Sequence, residues 1–556
     1  MAEVSVRCDG ALTLVMPGSM CVRCAEQARL AVLGGKVPRD NPNLSLGGLV
    51  PPTFRPLVDA LAEQVRADPD GYRDTVLAVR TDLGAVTTHS VRVTCGELPA
   101  DDAHGARIDA RTEAVRPGSL RRDNPLTDGD RLPNALVDLR YGPVVGVFRT
   151  GDLPLAVASA ELVGDHLPLM AGYGRTATFA DAERVALYEA VERRNGMRPI
   201  RRHTTMVASF AELGPDRALD PVRLGRYEPE YERHPDFGLV PYSPEVRTTW
   251  VHGWSYTNAK PIAVPEQVAY WAVGGARFVD ETSNGCGLGN SLTEAVLHGL
   301  FEVAERDAFL MAWYTKTPLR RLAVPADDPV LPHLVDRLES LGYELLFFDA
   351  TNDIGIPSVI SLARYHGTDE RTPAAFFAAG AHPDPRQAMV SAAAEVAVDV
   401  EAAAFEPAAF EEDRLRRMLA EPTLVKTMKD HTAVNSLPEA ASRYAFLLDD
   451  AQPVDQPADD HPLYTDLRAM LDDWVQRLAE LDLEVIAVDQ TDPVVAERLG
   501  LYSAKVIVPG TLPMTFGELR RRTLGLSRLL DVPYRLGRVL APLSYESLAR
   551  QPHPFP

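Results

Sequence analysis

The sequence predicts an α/β fold built from α+β layers, and two observations support this prediction. Short apolar runs typical of strands, such as residues 142–147 and 345–348, alternate with helix-like stretches at 181–194, 294–314 and 466–480. Hydrophobic residues make up 46% and charged residues 24% of the 556 positions, which is enough for more than one buried core. We therefore expect a large principal domain and a small N-terminal α/β module.

The N-terminal module, residues 1–100, contains a Cys-x-x-Cys pair formed by Cys21 and Cys24. Thiolates at this spacing form half of many structural zinc sites, and Cys8 and Cys95 could complete the ligand set. Such a site normally needs four ligands, so two reduced, partly buried thiols are the alternative interpretation. Five cysteines in a chain of this length do not make a disulfide framework.

Residues 101–133 are rich in Asp, Arg and Pro and are predicted to be a linker, which leaves residues 134–556 as the principal domain. The formal net charge of −21 disfavours binding to nucleic acid or to an anionic membrane, because both attract an excess of Lys and Arg. No run approaches the roughly 18 apolar residues of a membrane span, and the amino terminus lacks a signal-peptide pattern. We expect a cytoplasmic protein.

The clearest functional signal is a pattern that occurs twice in the principal domain, and we find no further internal repeat. A glycine-rich turn leads into a helix-like run that ends in Glu-x-x-Glu-Arg. Gly174 and Gly287 each lie 15 residues before the first glutamate of their copy. Positions i, i+3 and i+4 share one face of a helix, so each copy groups two carboxylates and a guanidinium: Glu189, Glu192 and Arg193, then Glu302, Glu305 and Arg306.

A single acidic helix of this kind is usually a solvated face with local ion pairs. Here the face of the first copy also carries Ala182, Val185 and Ala186, which an amphipathic helix would bury. Buried carboxylates need partners, and Mg²⁺ bound to a nucleotide phosphate supplies one, with arginine as a phosphate donor. The glycine turns would let backbone N–H groups approach the phosphates. No Walker motif occurs, and the Rossmann signature is weak.

At these positions the chain resembles the YcaO family. Residues 283–295 and 302–308 resemble its central ATP-binding motif, and residues 172–175 with 189–193 resemble its first motif. The Pro-x-Pro-x-Pro ending at 552–556 resembles the terminus of the azoline-forming cyclodehydratases. The resemblance implies that Mg²⁺ is held by Glu192, Glu302 and Glu305, and that nucleotide is contacted by Arg175, Glu189, Arg193, Ser283, Asn290, Glu294 and Arg306. It further implies a catalytic role for Arg193, Arg306 and the terminal carboxylate of Pro556, which would act as a base.

The resemblance implies that a Cys, Ser or Thr side chain of a ribosomally made precursor peptide attacks the preceding amide. ATP phosphorylates the amide oxygen, and loss of phosphate gives a thiazoline or oxazoline ring. A thioamide- or amidine-forming member and a catalytically silent scaffold remain alternatives. One later motif departs from the pattern, because Ser391 and Val398 stand where Arg and Gln are expected, although Glu395 is kept.

The N-terminal module resembles the zinc-bearing tail of ThiF/E1-like proteins, although its second Cys-x-x-Cys is missing. Because the chain carries no complete winged-helix reader, a separate ThiF-like protein is expected to bind the leader of the precursor peptide and deliver it. The oligomeric state, a homodimer included, stays open, as does the choice between Cys and Ser or Thr.

Overall fold

The structure is a computed structural model. It describes residues 3–9, 12–22, 25, 50–81, 83–91, 102–151, 155–162, 170–199, 206–369, 372–405, 412–448, 452–455 and 463–555. Strands and helices alternate through these ranges, which confirms the predicted mixed α/β class. None of the described helices is both long enough and apolar enough to cross a membrane.

The N-terminal part forms one antiparallel sheet with a helix packed on it. The strands pair in chain order, as β1 (Val4–Asp9), β2 (Leu12–Pro17), β3 (Thr75–Arg80) and β4 (Ala85–Ser90). Helix α1 (Arg55–Ala67) buries Val58, Ala62 and Val65 against this sheet. These three residues repeat at helical spacing, which explains why one face of α1 is apolar.

A second antiparallel sheet consists of three strands, β5 (Val144–Thr150), β6 (Ala156–Leu162) and β7 (Met170–Thr176). Helix α3 (Phe179–Met197) covers it, with the shorter α2 (Arg131–Leu136) alongside. Thr178 caps the start of α3 by accepting a hydrogen bond from the backbone N–H of Asp181.

The largest sheet has six strands in the order β11-β10-β17-β18-β12, with β8 paired to β10. Their bounds are β8 Met206–Ala208, β10 Thr248–Ser255, β11 Lys260–Pro265, β12 Cys286–Gly289, β17 Ile486–Asp489 and β18 Tyr502–Ile507. A further sheet pairs β13 (Arg320–Leu322), β14 (Tyr343–Asp349), β15 (Ser358–Tyr365) and β16 (Ala375–Ala381) in chain order. The short strands β9 (Arg226–Tyr227) and β19 (Arg522–Leu524) pair separately.

Helix α7 (Leu292–Thr315) lies between the six-stranded sheet and the β13–β16 sheet, and most of its side chains are buried. The β13–β16 sheet also packs on α8 (Leu331–Ser340) and α9 (Pro385–Phe405). The remaining helices are α4 (Phe210–Leu213), α5 (Pro229–Glu232), α6 (Glu266–Ala269), α10 (Glu412–Ala420), α11 (Met428–Asn435), α12 (Leu467–Glu480), α13 (Pro493–Leu499) and α14 (Arg528–Arg535).

The glycine-rich segments are strands and not turns, which corrects the sequence-based expectation. Gly174 lies in β7 and Gly287 in β12. A Cβ on Gly174 would collide with the carbonyl oxygen of Ala182, and one on Gly287 with that of Ala295. These glycines therefore let a strand lie directly on the backbone of the following helix, and this close contact is their role in the fold.

A third copy of the unit exists, so the expectation of only two copies was wrong. Gly380 lies at the end of β16, and a Cβ there would collide with the carbonyl oxygen of Ala388. In all three copies the colliding oxygen lies eight residues after the glycine, the helix begins five residues after it, and a glutamate follows at fifteen. The third glutamate is Glu395. We call these copies units 1, 2 and 3, containing α3, α7 and α9.

Candidate functional site

In unit 1, Glu189 and Arg193 form an ion pair, and both side chains also hydrogen-bond the neighbouring strand. Arg193 Nη2 lies 2.6 Å from Glu189 Oε1, and Arg193 Nη1 donates to the carbonyl of Ala171 at 2.5 Å. The backbone N–H of Tyr173 donates to Glu189 Oε2 at 2.5 Å. Both side chains are thereby held against β7, one helical turn apart on α3.

In unit 2, Arg306 lies between two carboxylates. Its Nη1 is 2.6 Å from Glu305 Oε1 and its Nη2 is 3.8 Å from Glu302 Oε1. Burial raises the pKa of both glutamates, and the nearby backbone opposes this rise, at Gly285 for Glu302 and at Ala381 for Glu305. Because Ala381 belongs to β16, Glu305 lies beside unit 3.

The carboxylates of units 1 and 2 are close enough to repel each other. Burial, followed by repulsion from Glu302 and Glu189, raises the pKa of Glu192 well above its ordinary value. Burial, with repulsion from Glu305, raises the pKa of Glu302 to about 7. The Glu302 and Glu305 side chains keep 26% and 15% of their exposure, so they line a recess that opens to solvent.

Unit 3 adds two further acids to the same recess. Glu395 Oε1 lies 3.9 Å from Nη1 of Arg175, which comes from β7 of unit 1. Burial, and then repulsion from Glu395, raises the pKa of Asp399 to about 7, and Arg175 opposes this shift. The sequence analysis missed Asp399, although its spacing of four from Glu395 on a helix was a usable signal.

The charge of this recess fits a bound cation. Six acids (Glu189, Glu192, Glu302, Glu305, Glu395 and Asp399) adjoin three arginines (Arg175, Arg193 and Arg306), so the acids are in excess. Within the described ranges, no three His, Cys, Asp or Glu side chains converge as a complete set of ligands. Mg²⁺ typically takes one or two carboxylates and fills its other positions with phosphate oxygens and water. A metal–phosphate complex suits the recess better than a bare ion does.

Comparison with known proteins decides the family. The profile described as YcaO cyclodehydratase, ATP- and Mg²⁺-binding, matches residues 173–512, more than half of the chain. The chain belongs to the YcaO family. The three carboxylate helices α3, α7 and α9 all lie within the matched residues.

Individual relatives of this YcaO chain are distant. An uncharacterised protein in the tfuA 3' region of Rhizobium leguminosarum bv. trifolii is 33% identical over 163 residues, which is 27% of this chain and 38% of that relative. The match thus spans well under two thirds of the relative's length. A solved heterocyclase in complex with substrate and cofactor aligns with a TM-score of 0.78 and 20% identity, over 100% of this chain and 78% of that one. The heterocyclase TruD aligns at 0.68 and 19%, over 100% and 75%. These structures share the fold.

Two of the predicted nucleotide contacts in this YcaO chain, Glu294 and Asn290, hydrogen-bond residues of the segment 122–124. Glu294 is fully buried and accepts hydrogen bonds from the backbone N–H of Arg122 at 3.0 Å and from Asn290 Nδ2 at 3.3 Å. Asn290 also donates to the carbonyl of Arg122 and accepts from Asn124. In this structure, both side chains anchor the 121–124 segment to the start of α7. Burial raises the pKa of Glu294, and these hydrogen bonds oppose the rise.

That segment lies in the range predicted to be a linker, and it brings a further cation to the YcaO site. Burial raises the pKa of both Glu192 and Glu294, and the positive charge of Arg121 opposes this rise. The Arg121 guanidinium lies over the ring of Tyr188, 5.6 Å from its centre. The sequence analysis missed Arg121 because an arginine in a polar segment carries no sign of the helix it will meet.

Ser283, another predicted nucleotide contact, lies on the loop before β12. Lys505 holds this loop in place, because its buried Nζ donates to the carbonyls of Thr282 at 3.1 Å and Asn284 at 2.5 Å. The sequence analysis passed over Lys505, although a lysine inside the apolar strand β18 is an unusual residue that needs partners. Its charge also lowers the pKa of Glu302.

The C-terminal tail of the YcaO chain runs through the interior. His553 and Phe555 are each 1% exposed. The carbonyl of His553 hydrogen-bonds His431 Nδ1 at 2.7 Å, and the carbonyl of Pro552 accepts from Asn435 Nδ2 at 3.1 Å. The tail is therefore buried among residues of the folded chain as far as Phe555. Pro556 lies outside the described residues.

The cysteines give zinc no support. Cys8 is buried in β1, 3.8 Å from the hydroxyl of Thr13, and the described part of the chain contains no metal-binding cluster. Cys24 and Cys95 lie outside the described residues. Cys286 is buried in β12, and burial raises the pKa of its thiol to about 12, so it is no nucleophile.

Proposed function

We propose that this YcaO protein is an ATP- and Mg²⁺-dependent cyclodehydratase that forms azolines in a ribosomally made peptide. The observation that carries the proposal is the meeting of two Glu-x-x-Glu-Arg helices, in which Glu192 and Glu302 are close enough to raise the pKa of Glu192. Family membership and the heterocyclase fold of its structural neighbours support it.

The proposed reaction removes one water from the peptide at each ring. The thiol or hydroxyl of Cys, Ser or Thr loses its proton and adds to the preceding carbonyl carbon, and the carbonyl oxygen becomes an oxyanion. This oxygen attacks the γ-phosphorus of ATP and takes the γ-phosphoryl group, and ADP is the leaving group. Loss of the amide proton and of phosphate then forms the C=N bond. Phosphorylation is needed because an amide oxygen is otherwise a poor leaving group.

The residues of the recess divide the work by charge. Glu192, Glu302 and Glu305 would hold Mg²⁺, which when bound neutralises phosphate charge. Arg193, Arg306 and Arg175 would contact the phosphates, because guanidinium groups bind phosphate through paired N–H donors. Glu189 orients Arg193 through their 2.6 Å ion pair. Ser283 stays a proposed nucleotide contact on the loop that Lys505 supports.

The terminal carboxylate of Pro556 is proposed to accept the proton that the peptide loses. Support comes from the residue before it, because Phe555 is buried beside Arg306.

Several finer points stay proposals. The substrate peptide is expected to arrive with a separate leader-binding, ThiF-like partner. The E1-like origin of residues 1–100, the domain limits, a zinc ion in that module, a homodimer and a cytoplasmic location stay predictions.

The test incubates the purified protein with ATP, Mg²⁺, the candidate partner and a candidate precursor peptide, and measures the peptide by mass spectrometry. Loss of one water per modified residue, with matching release of ADP and phosphate, supports the proposal. A gain of sulfur for oxygen would indicate a thioamide-forming enzyme. Absence of any Mg²⁺-dependent nucleotide binding would indicate a silent scaffold.

A further inference from the structure

The third unit differs from the other two at two adjacent helix positions. Nineteen residues after the glycine, units 1 and 2 have Arg193 and Arg306, whereas unit 3 has Asp399. One position earlier, units 1 and 2 have glutamates and unit 3 has Val398. Because the three glycines make the same contact with the three helices, these positions are structurally equivalent. Unit 3 therefore has an aspartate where the other two units have an arginine, on the helix face where that arginine pairs with a glutamate.

The exchange leaves unit 3 without an ion pair of its own at this position. In units 1 and 2 the arginine lies beside the glutamate four residues earlier, at 2.6 Å and 3.8 Å. In unit 3 the corresponding pair, Asp399 and Glu395, repel each other. The compensating cation is Arg175 of β7, from unit 1, whose Nη1 lies 3.9 Å from Glu395.

Arg175 is thus paired with unit 3, but not all of its N–H groups are hydrogen-bonded. Its Nε is buried and has no hydrogen-bond partner, although its Nη1 faces Glu395. The guanidinium also lies 6.0 Å from the centre of the Tyr173 ring. A guanidinium with an unused N–H on its phosphate-binding edge is prepared to exchange one anion for another.

We propose that Asp399 is a positioning residue that, together with Glu395, retains Arg175 on unit 3 and makes nucleotide binding dependent on Mg²⁺. This inference rests on the proposed function. Two adjacent carboxylates repel an incoming triphosphate and compete with it for Arg175. Once a divalent cation neutralises the acids of the recess, Arg175 is released to the phosphates. An arginine at position 399, as in the other units, would remove both effects.

The test measures the affinity of the non-hydrolysable analogue AMPPCP by calorimetry, with and without Mg²⁺. Wild type is expected to lose about tenfold or more in affinity when Mg²⁺ is removed. In Asp399→Asn the Mg²⁺-free affinity should rise about tenfold, while the affinity in saturating Mg²⁺ stays within about threefold. Because the readout is a ratio of two affinities, a residue that only stabilises the fold would lower both and leave the ratio unchanged.

The matched control is Asp336→Asn, an exposed aspartate on α8, the helix that packs with α9. It should behave as wild type. In the Asp399→Asn background, Arg175→Gln should lower Mg²⁺-free affinity more than it does in wild type, because Arg175 is then available to the phosphates.

Two outcomes overturn the inference. An Asp399→Asn variant with both affinities as in wild type shows that Asp399 does not control Arg175. Equal losses in both conditions show a structural role only. If wild type binds AMPPCP in neither condition, the proposed function falls as well, and this result is distinct from the other two.

Discussion

Arg306 stacks on Phe555, with 3.9 Å between the guanidinium carbon and the centre of the ring. Phe309 supports the same ring edge to face, with 4.9 Å between centroids. The next-to-last residue of the chain is thereby fixed against an arginine of the carboxylate recess. This contact joins the described end of the tail to unit 2.

Phe555→Ala should lower turnover much more than nucleotide affinity, because the tail loses its anchor while the carboxylates stay in place. The cavity should also reduce the free energy of unfolding by roughly 3–5 kcal/mol. Phe148→Ala is the control, since that ring is 53% exposed in β5. Steady-state kinetics and urea unfolding measure both effects.

Removal of Pro556 alone should reproduce the loss of turnover without the loss of stability, and unchanged turnover would refute a role for the tail.

Glu305→Gln should reduce water loss from the peptide to below about 1% of the wild-type rate, because a neutral amide cannot neutralise Mg²⁺ as the carboxylate does. Glu497→Gln, at an exposed position on α13, is the matched control and should retain full activity. The assay is mass spectrometry of the peptide at saturating ATP. Activity that persists in Glu305→Gln would remove Glu305 from the metal site.

The stability of the protein without divalent cations should depend on pH through Glu302. Its pKa is raised from 4.5 to about 7 in the folded state, so between these values the folded protein keeps a proton that the unfolded chain has released. The free energy of unfolding therefore falls as pH rises through this window, by about 3 kcal/mol. Asp399, with a pKa of about 7, acts in the same direction.

Urea unfolding at about pH 5 and about pH 8 measures this effect. Glu302→Gln should show a shallower pH dependence than wild type, and Mg²⁺ with nucleotide should restore the stability lost at the higher pH. Identical pH dependence in Glu302→Gln and wild type would mean that the proton resides elsewhere.

Gly380→Ala should destabilise the protein by about 1–3 kcal/mol, because the added methyl meets the backbone of Ala388 and Ala392, which cannot rotate away. It should also weaken binding of Mg²⁺–AMPPCP, since α9 carries Glu395 and Asp399 into the recess. Gly274→Ala is the control, because a Cβ there meets no atom within 4 Å. Equal stability of the two variants would show that the strand–helix contact of unit 3 is adjustable.

The sequence predicted the parts of the site that are local. Glu192 and Glu302 could be foreseen as neighbours because their helices repeat one pattern and because Ala182 and Ala186, fully buried in the structure, share the face of Glu192. The resemblance of residues 552–556 predicts a functional role for the tail, and the structure shows that His553 and Phe555 are buried. In both cases a short stretch of chain carried the whole signal.

The missed features depend on contacts between distant segments. A Gly-x-Gly segment has the local character of a turn, and only its packing against a helix keeps Gly174 and Gly287 in strands. Unit 3 escaped notice because its second glutamate and its arginine are replaced, so that only Gly380, the helix start and Glu395 remain. Arg175 pairs with Glu395, 220 positions away, and the sequence around neither residue indicates that the two will meet.

Three hydrogen atoms, one on each of the glycines 174, 287 and 380, set how closely the strands approach the helices around the recess. With the backbone positions constrained in this way, side chains on the helices can be exchanged without moving the helices themselves. An anion in place of a cation at residue 399 is one such exchange. Single substitutions on these helices can therefore adapt the recess to a ligand of different charge, while its dimensions stay the same.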